Sequence, residues 1–239
     1  MSDWYASWFD TPYYHILYKD RDNAEADSFM ERLTNFLKLK QNDSILDLAC
    51  GKGRHAISLS QKGFNVTGVD LSSSSIQFAK QFEAEHLKFR VHDMCQPYPQ
   101  QFDAVFNLFT SFGYFENEED NLRTIQAIKE ELKTKGHGVI DFMNSAFVIK
   151  NLVPFEVKEV EGIEFHIKRY VAEGYITKEI KFQHNNIPFS FTERVKALTL
   201  SDFKGYFKAA GMQLKHCFGD YHLSEFDEAT SERLILIFN

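Results

Sequence analysis

Three aspartates, Asp47, Asp70 and Asp93, each close a short apolar run, and between the first two lies the glycine turn Gly51-Lys52-Gly53-Arg54-His55-Ala56. An acid at a strand tip can accept hydrogen bonds from hydroxyl and amino groups, and it attracts a cation. Glycines in a strand-to-helix turn let backbone amides approach a ligand closely. Together these residues could hold a nucleoside with a charged tail. Asp70 lies about 20 residues past the glycines, where an acid accepts from ribose hydroxyls.

The elements that would position these acids follow from periodicity. Ser44–Leu48 is an unbroken apolar run suited to a parallel sheet covered on both faces. Arg54–Lys62 reads as helix, Asn65–Asp70 as strand, Ser73–His86 as a helix capped by Ser72, and Leu87–His92 as the third strand. Phe102–Phe109 is a fourth strand, Glu118–Thr134 a helix ended by Gly136, and Gly138–Met143 a fifth strand. This alternation predicts an α/β, doubly wound, mostly parallel seven-stranded Rossmann-like sheet.

After Pro154 the pattern changes. Runs near Phe155–Val160, Ile163–Val171, Tyr175–His184 and Phe189–Leu198 have strand character without helices between them, which predicts an inserted antiparallel β subdomain. A helix capped by Ser201 and ended by Gly211 then leads to strands Met212–Phe218 and Arg233–Phe238. At the other end, Asp22 and Glu25 form a capping box for a helix carrying Phe29, Leu33 and Phe36, preceded by a ring-rich stretch that includes Trp4, Tyr5, Tyr13, Tyr14 and Tyr18. The expected organisation is one domain over residues 1–239, with a helical cap at 1–40 and an antiparallel lid at 152–199.

The turn also fits the loose dinucleotide pattern GxGxxG/A, which alone is weak and keeps a nicotinamide-dependent oxidoreductase in view. Asp47, four residues before Gly51, argues against that. A pyrophosphate there would meet an unwanted negative charge, whereas S-adenosylmethionine brings an ammonium and a sulfonium and no phosphate.

The chain resembles the class I S-adenosylmethionine-dependent methyltransferases. Asp47-Leu48-Ala49-Cys50-Gly51-Lys52-Gly53 is similar to their first motif, Val69-Asp70-Leu71-Ser72 to their ribose-binding acid, His92-Asp93-Met94 to their adenine-contacting segment, and Phe102–Phe109 to the strand bordering the transfer site. The resemblance implies that Asp47, Ala49, Gly51 and Gly53 surround the methionine moiety; Arg54, by its own charge, could pair with the carboxylate there. Asp70 would hold the ribose and Asp93 the adenine amine. Leu71 and Met94 would sandwich the adenine ring, and Asn107 and Phe109 would lie under the sulfonium. It also implies a ring of the N-terminal segment, such as Tyr14, at the cofactor or acceptor. Arg54 and His55 depart from the small residues commoner at those positions.

Methyl transfer from a sulfonium needs alignment and exclusion of water more than a base. Acceptor-side candidates are Tyr114, Asn144 and His166 foremost, then Asp141, Tyr170 and His184. The segment Asn107-Leu108-Phe109-Thr110 lacks the Asn/Asp-Pro-Pro-aromatic pattern of amino-methylating nucleic-acid enzymes, no Pro-Cys nucleophile follows it, and paired glutamates of the arginine-methylating kind are absent. A small-molecule acceptor is the expectation. An RNA or protein acceptor, or a non-catalytic partner subunit, are the alternatives.

Composition bounds the rest. The net charge of −7 counts against broad nucleic-acid binding. No apolar run approaches ~18 residues, so no membrane span is expected. Met1 to Tyr5 show no basic stretch leading into an apolar one, so no secretory leader is expected. Three scattered cysteines, Cys50, Cys95 and Cys217, offer no metal spacing and suit a reducing cytoplasm. The 24 phenylalanines must be mostly core, with some able to line a pocket.

Overall fold

The computed structural model describes residues 8–19 and 23–239. Trp4, Tyr5 and the Asp22 half of the expected capping box lie outside the described residues. The elements in chain order are α1 (Pro12–Leu17), α2 (Asn23–Phe36), β1 (Ser44–Leu48), α3 (Arg54–Gln61), β2 (Asn65–Asp70), α4 (Ser73–Ala79), β3 (Leu87–Val91), β4 (Phe102–Asn107), α5 (Glu118–Glu131), β5 (Leu132–Met143) and α6 (Ser145–Lys150). Then come β6 (Phe155–Val160), β7 (Ile163–Ala172), β8 (Tyr175–His184), β9 (Ile187–Lys196), α7 (Leu200–Ala210), β10 (Leu214–Phe218) and β11 (Arg233–Phe238).

One sheet has seven strands in the order β10-β11-β5-β4-β1-β2-β3. β1 pairs in parallel with both β2 and β4, so the strand order reverses beside it. Open α/β sheets bind ligands outside the strand carboxyl ends at such a reversal. β11 and β10 close the sheet in antiparallel fashion. The four strands β6 to β9 form a separate antiparallel sheet, so the predicted α/β class, the seven-stranded sheet and the inserted strands all hold.

Each face of the large sheet has its own core. One gathers Phe29, Leu33, Ile45, Leu59, Phe89 and Phe106, and the other Leu46, Val105, Ile128, Phe142, Phe203 and Phe238. Fully burying a side chain of this size contributes roughly 1.5–3 kcal/mol. A third cluster joins Trp8 and Leu17 to Ile163, Phe165, Ile180 and Phe182, so the N-terminal segment packs on the inner face of the small sheet. Among the described residues no helix is long and apolar enough to cross a membrane.

Several expected boundaries shift, each for a local reason. α5 ends at Glu131 rather than Thr134, because Leu132 is already extended and pairs with Phe102. α4 ends at Ala79, followed by a 3-10 turn Lys80–Phe82, instead of running to His86. The Glu83 carboxylate takes the Phe89 amide at 2.8 Å, and Ala84 bridges to Leu87, which starts β3. Thr199, not Ser201, caps α7 through a reciprocal capping box with Asp202. The short α6 was not anticipated.

Gly53 caps the start of α3 at φ +85°, and a Cβ there would lie 2.6 Å from the Phe89 ring. Gly51, at φ +54°, has open space for 4 Å around the point where a Cβ would sit. Gly53→Ala should therefore lower stability by roughly 2–4 kcal/mol, from left-handed strain plus overpacking, and Gly51→Ala by only about 1 kcal/mol. Urea unfolding midpoints of the two variants check this; equal losses would contradict it.

Candidate functional site

A cavity of about 730 Å³ opens where the carboxyl ends of β1, β2 and β3 meet. It sits within the size range of small-molecule sites. Asp47, near the end of β1, is 1 % exposed. Among the described residues its Oδ2 has no hydrogen-bond partner. Burial first, and the neighbouring Asp70 second, push its carboxyl from 3.8 up to about 7, while the Ala56 amide and Arg54 pull the other way.

The chain then turns through left-handed residues Ala49, Gly51 and Gly53, at φ +57°, +54° and +85°. The Gly51 amide donates to Asp70 Oδ2 at 2.8 Å, and the Ser72 amide to Asp70 Oδ1 at 2.8 Å. Burial raises the Asp70 carboxyl as well, against those two amides. Asp70 thus ties the glycine turn to the start of α4, and each of its oxygens keeps a second lone pair for a ligand. Asp93 is likewise set by the Cys95 amide, which donates to its Oδ1 at 2.9 Å. Leu71, on the cavity wall, is 47 % exposed, an apolar surface of the kind a ligand covers.

The loop after β4 is held in a strained shape. Phe109 and Thr110 are consecutive non-glycine residues at φ +56° and +62°. Such conformations cost about 1–3 kcal/mol each and persist only where surroundings impose them. Here the buried Asp141 imposes them. Its Oδ2 accepts from the Phe109 amide at 2.8 Å and its backbone carbonyl from the Thr110 amide at 2.9 Å. Arg233 reaches Asp141 Oδ1 at 2.8 Å through Nε and Thr110 Oγ1 at 3.0 Å. The Phe109 ring is stacked on His55 at 4.5 Å, with the Arg54 guanidinium 5.1 Å from its centre.

Over the cavity lies the N-terminal segment. Phe9, Tyr14, His15, Tyr18 and Lys19 line it. Thr11 caps α1. The Asp10 carboxylate accepts from the hydroxyls of Ser72 and Ser74, which fastens the segment to α4. On its other side Trp8 Nε1 and the Tyr18 hydroxyl both donate to Glu193 at 2.7 Å, and Tyr13 meets His184 Nδ1 at 3.0 Å. The cap therefore bridges the large sheet and the small one.

Of the residues expected at the site, Tyr14, Asp47, Ala49, Gly51, Arg54, Asp70, Leu71, Asp93, Met94, Phe109 and Tyr114 line this cavity. Seven expected residues do not. Gly53 packs against Phe89 behind the turn. Asn107 is fully buried, its amide donating to the Leu48 carbonyl at 3.3 Å. Asn144 is consumed by the carbonyls of Glu228 and Ser231, at 2.9 and 2.8 Å, where it anchors the approach to β11. His166 points to the outer face of the small sheet and pairs with Glu164 at 2.7 Å. Asp141 positions the β4 loop, Tyr170 donates to Glu179 and His184 meets Tyr13, and none of the three lines the cavity. Residues not anticipated include Phe9, Lys19, Ser111, Phe115 and Arg123. The i, i+4 pair Tyr14/Tyr18 was the available signal for the cap's inward face.

These residues fit S-adenosylmethionine. The unpartnered Asp47 oxygen suits an ammonium donor, open space faces Gly51, and an exposed leucine stands beside a methionine where a flat base would lie. A diphosphate at the same turn would instead face a buried carboxylate.

Comparison with known proteins agrees. Residues 45–136 match a family model described as a methyltransferase domain. The chain is 29 % identical over 208 residues to the Bacillus subtilis protein YqeM, named as a methyltransferase, covering 82 % of this chain and 83 % of that one. It superposes on an S-adenosylmethionine-dependent methyltransferase from Clostridium acetobutylicum with a TM-score of 0.80 at 19 % identity, covering 95 % of each chain. It also superposes on CalS10 from Micromonospora echinaspora, an amino pentose methyltransferase solved with S-adenosylmethionine bound, with a TM-score of 0.73 at 17 % identity, covering 95 % of this chain and 96 % of that one. Residues 45–136 are thus matched as a methyltransferase domain, set in a fold shared with S-adenosylmethionine-dependent methyltransferases and bearing three acids at adjoining strand tips.

Proposed function

We propose that the chain methylates a small molecule held between the cofactor and the N-terminal cap. The observation that carries this is the roof. Phe9, Tyr14 and Tyr18 line the cavity from above, and the segment bearing them is tied to α4 on one side and to the small sheet on the other. A folded RNA or protein surface would have to displace that roof, whereas a small acceptor fits beneath it. The amino pentose acceptor of CalS10 is of this size class.

The bound cofactor supplies an activated methyl group on a sulfonium. The chain's own residues bind, orient and exclude water. Asp47 takes the ammonium of the methionine part, with Ala49 and Gly51 providing the close backbone surface and Arg54 pairing with the carboxylate. Asp70 accepts from the ribose hydroxyls and Asp93 from the adenine amine. Leu71 and Met94 enclose the base, and Phe109 lies beside the transfer position with Tyr114. Residues 8–19, within the proposed cap at 1–40, cover the cavity and are braced from behind by strands of the proposed lid at 152–199, and the exclusion of solvent strengthens every charge interaction inside.

Given methyl-labelled S-adenosylmethionine and a cell extract split by dialysis, the protein should label the small-molecule fraction. Label found only in RNA or protein would contradict the proposal.

The Asp47 carboxyl sets a pH dependence. Unfolded it ionises near 3.8 and folded near 7, so between those values the folded chain holds an extra proton. Stability of the ligand-free protein should then fall as pH rises through that window. An ammonium favours the ionised form, so affinity for S-adenosylmethionine should rise from pH 6 to pH 7.5 with release of a proton. Asp47→Asn should remove that proton release and weaken binding roughly 10- to 100-fold, the worth of a charged hydrogen bond. Calorimetry in buffers of different ionisation enthalpy measures both; a pH-independent wild-type affinity would count against the assignment.

A further inference from the structure

The part of the cavity wall contributed by the cap and by the loop after β4 is mostly rings, with Lys19, Leu108 and Ser111 among them. Tyr114 meets Phe9 at 5.5 Å between centroids, Phe9 meets Tyr14 at 4.8 Å, and Tyr14 meets Tyr18 at 4.9 Å. This chain of edge-on and tilted contacts spans from one element to the other. Phe115 adds a further ring to the wall, whereas the Phe109 ring is stacked on His55 and the Tyr18 ring carries the Lys178 ammonium 4.5 Å from its centre, which leaves Phe9, Tyr14, Tyr114 and Phe115 as the rings that count toward this wall. The four cavity carboxylates, Asp47, Asp70, Asp93 and Asp120, come instead from the strand tips and the start of α5. Lys19, at the end of the cap, is turned to Glu161 at 3.2 Å.

Resting on the methyl-transfer function above, we infer that the acceptor is a small-molecule amine and that this ring wall holds its nitrogen. In the transfer, the amine lone pair forms a bond to the methyl carbon as the carbon–sulfur bond breaks with its electron pair going to sulfur. Sulfur becomes a neutral thioether, and the positive charge moves to the nitrogen as an alkylammonium, which later loses a proton to water. Aromatic faces attract a cation, most strongly when water is excluded. A wall of rings therefore favours the species in which charge has arrived on nitrogen, and so favours the transition state leading to it. For a hydroxyl acceptor the same transfer would leave a protonated oxygen unless a base removed the proton, and among the described residues of this wall only the His15 imidazole is such a base.

The test is calorimetric, on the complex with S-adenosylhomocysteine. Tetramethylammonium stands in for the methylated product, and 2,2-dimethyl-1-propanol is its neutral near-isostere. The complex should bind tetramethylammonium at least about tenfold more tightly than the alcohol, as several rings acting together require. Tyr114→Leu should weaken the cation by about 2- to 30-fold while leaving the alcohol unchanged, and Tyr114→Phe, which keeps the ring face, should restore it. Tyr14→Leu and Tyr14→Phe form a second pair from a different element, with S-adenosylhomocysteine binding as the check that each variant is folded. Equal binding of cation and alcohol, or no cation binding to the loaded complex, would overturn the amine assignment alone. Failure of S-adenosylhomocysteine to bind the wild-type protein would overturn the cofactor assignment and this inference with it.

Discussion

An ionised carboxylate that is 1 % exposed, with one oxygen unpartnered among the described residues and a second carboxylate nearby, weakens the protein that contains it unless a proton or a cation arrives. Asp47 is that group, and much of the structure can be understood as what holds it there. β1 lies between β2 and β4 at the reversal of strand order, so its tip cannot avoid the ligand crevice. Asp70, one strand over, locks the turn by accepting from Gly51 and Ser72. Hydrophobic burial on both faces of the sheet supplies the stability against which this local penalty is set.

A second constraint is the Asp141–Arg233 pair. It lies across neighbouring antiparallel strands β5 and β11, and it holds two strained residues, Phe109 and Thr110, on the neighbouring β4 loop. The Phe109 ring then meets His55 and Arg54, the residues that open α3. Side chains from β4, β5, β11 and α3 thereby form one wall. The buried pair need not stabilise the fold to matter, since such pairs are weak evidence for stability; here it fixes a geometry.

Strand existence was readable from the apolar runs, because a strand covered on both faces has little sequence freedom. The strand-tip side of the cavity was readable for the same reason: Asp47, Asp70 and Asp93 stand at or just past the ends of runs that form neighbouring strands. The acceptor side was not. Asn144 and His166 have suitable chemistry, but period-two alternation cannot tell which face of the small sheet looks inward, and Asn144 is spent on carbonyls more than 80 residues away in sequence. Phe9, Phe115 and Arg123 enter from loops and helix starts whose direction depends on tertiary packing. The end of α5 was misplaced because Gly136 looked like a helix stop, when pairing of Leu132 with Phe102 had already drawn the chain into the sheet.

The most direct measurement is a calorimetric titration of the protein with S-adenosylmethionine, with NADH as the phosphate-bearing control. Micromolar binding of the sulfonium, its loss in Asp70→Ala and no heat with NADH are expected of acids arranged at three strand tips. Preference for NADH, or binding unaffected by Asp70→Ala, would contradict the account at its centre.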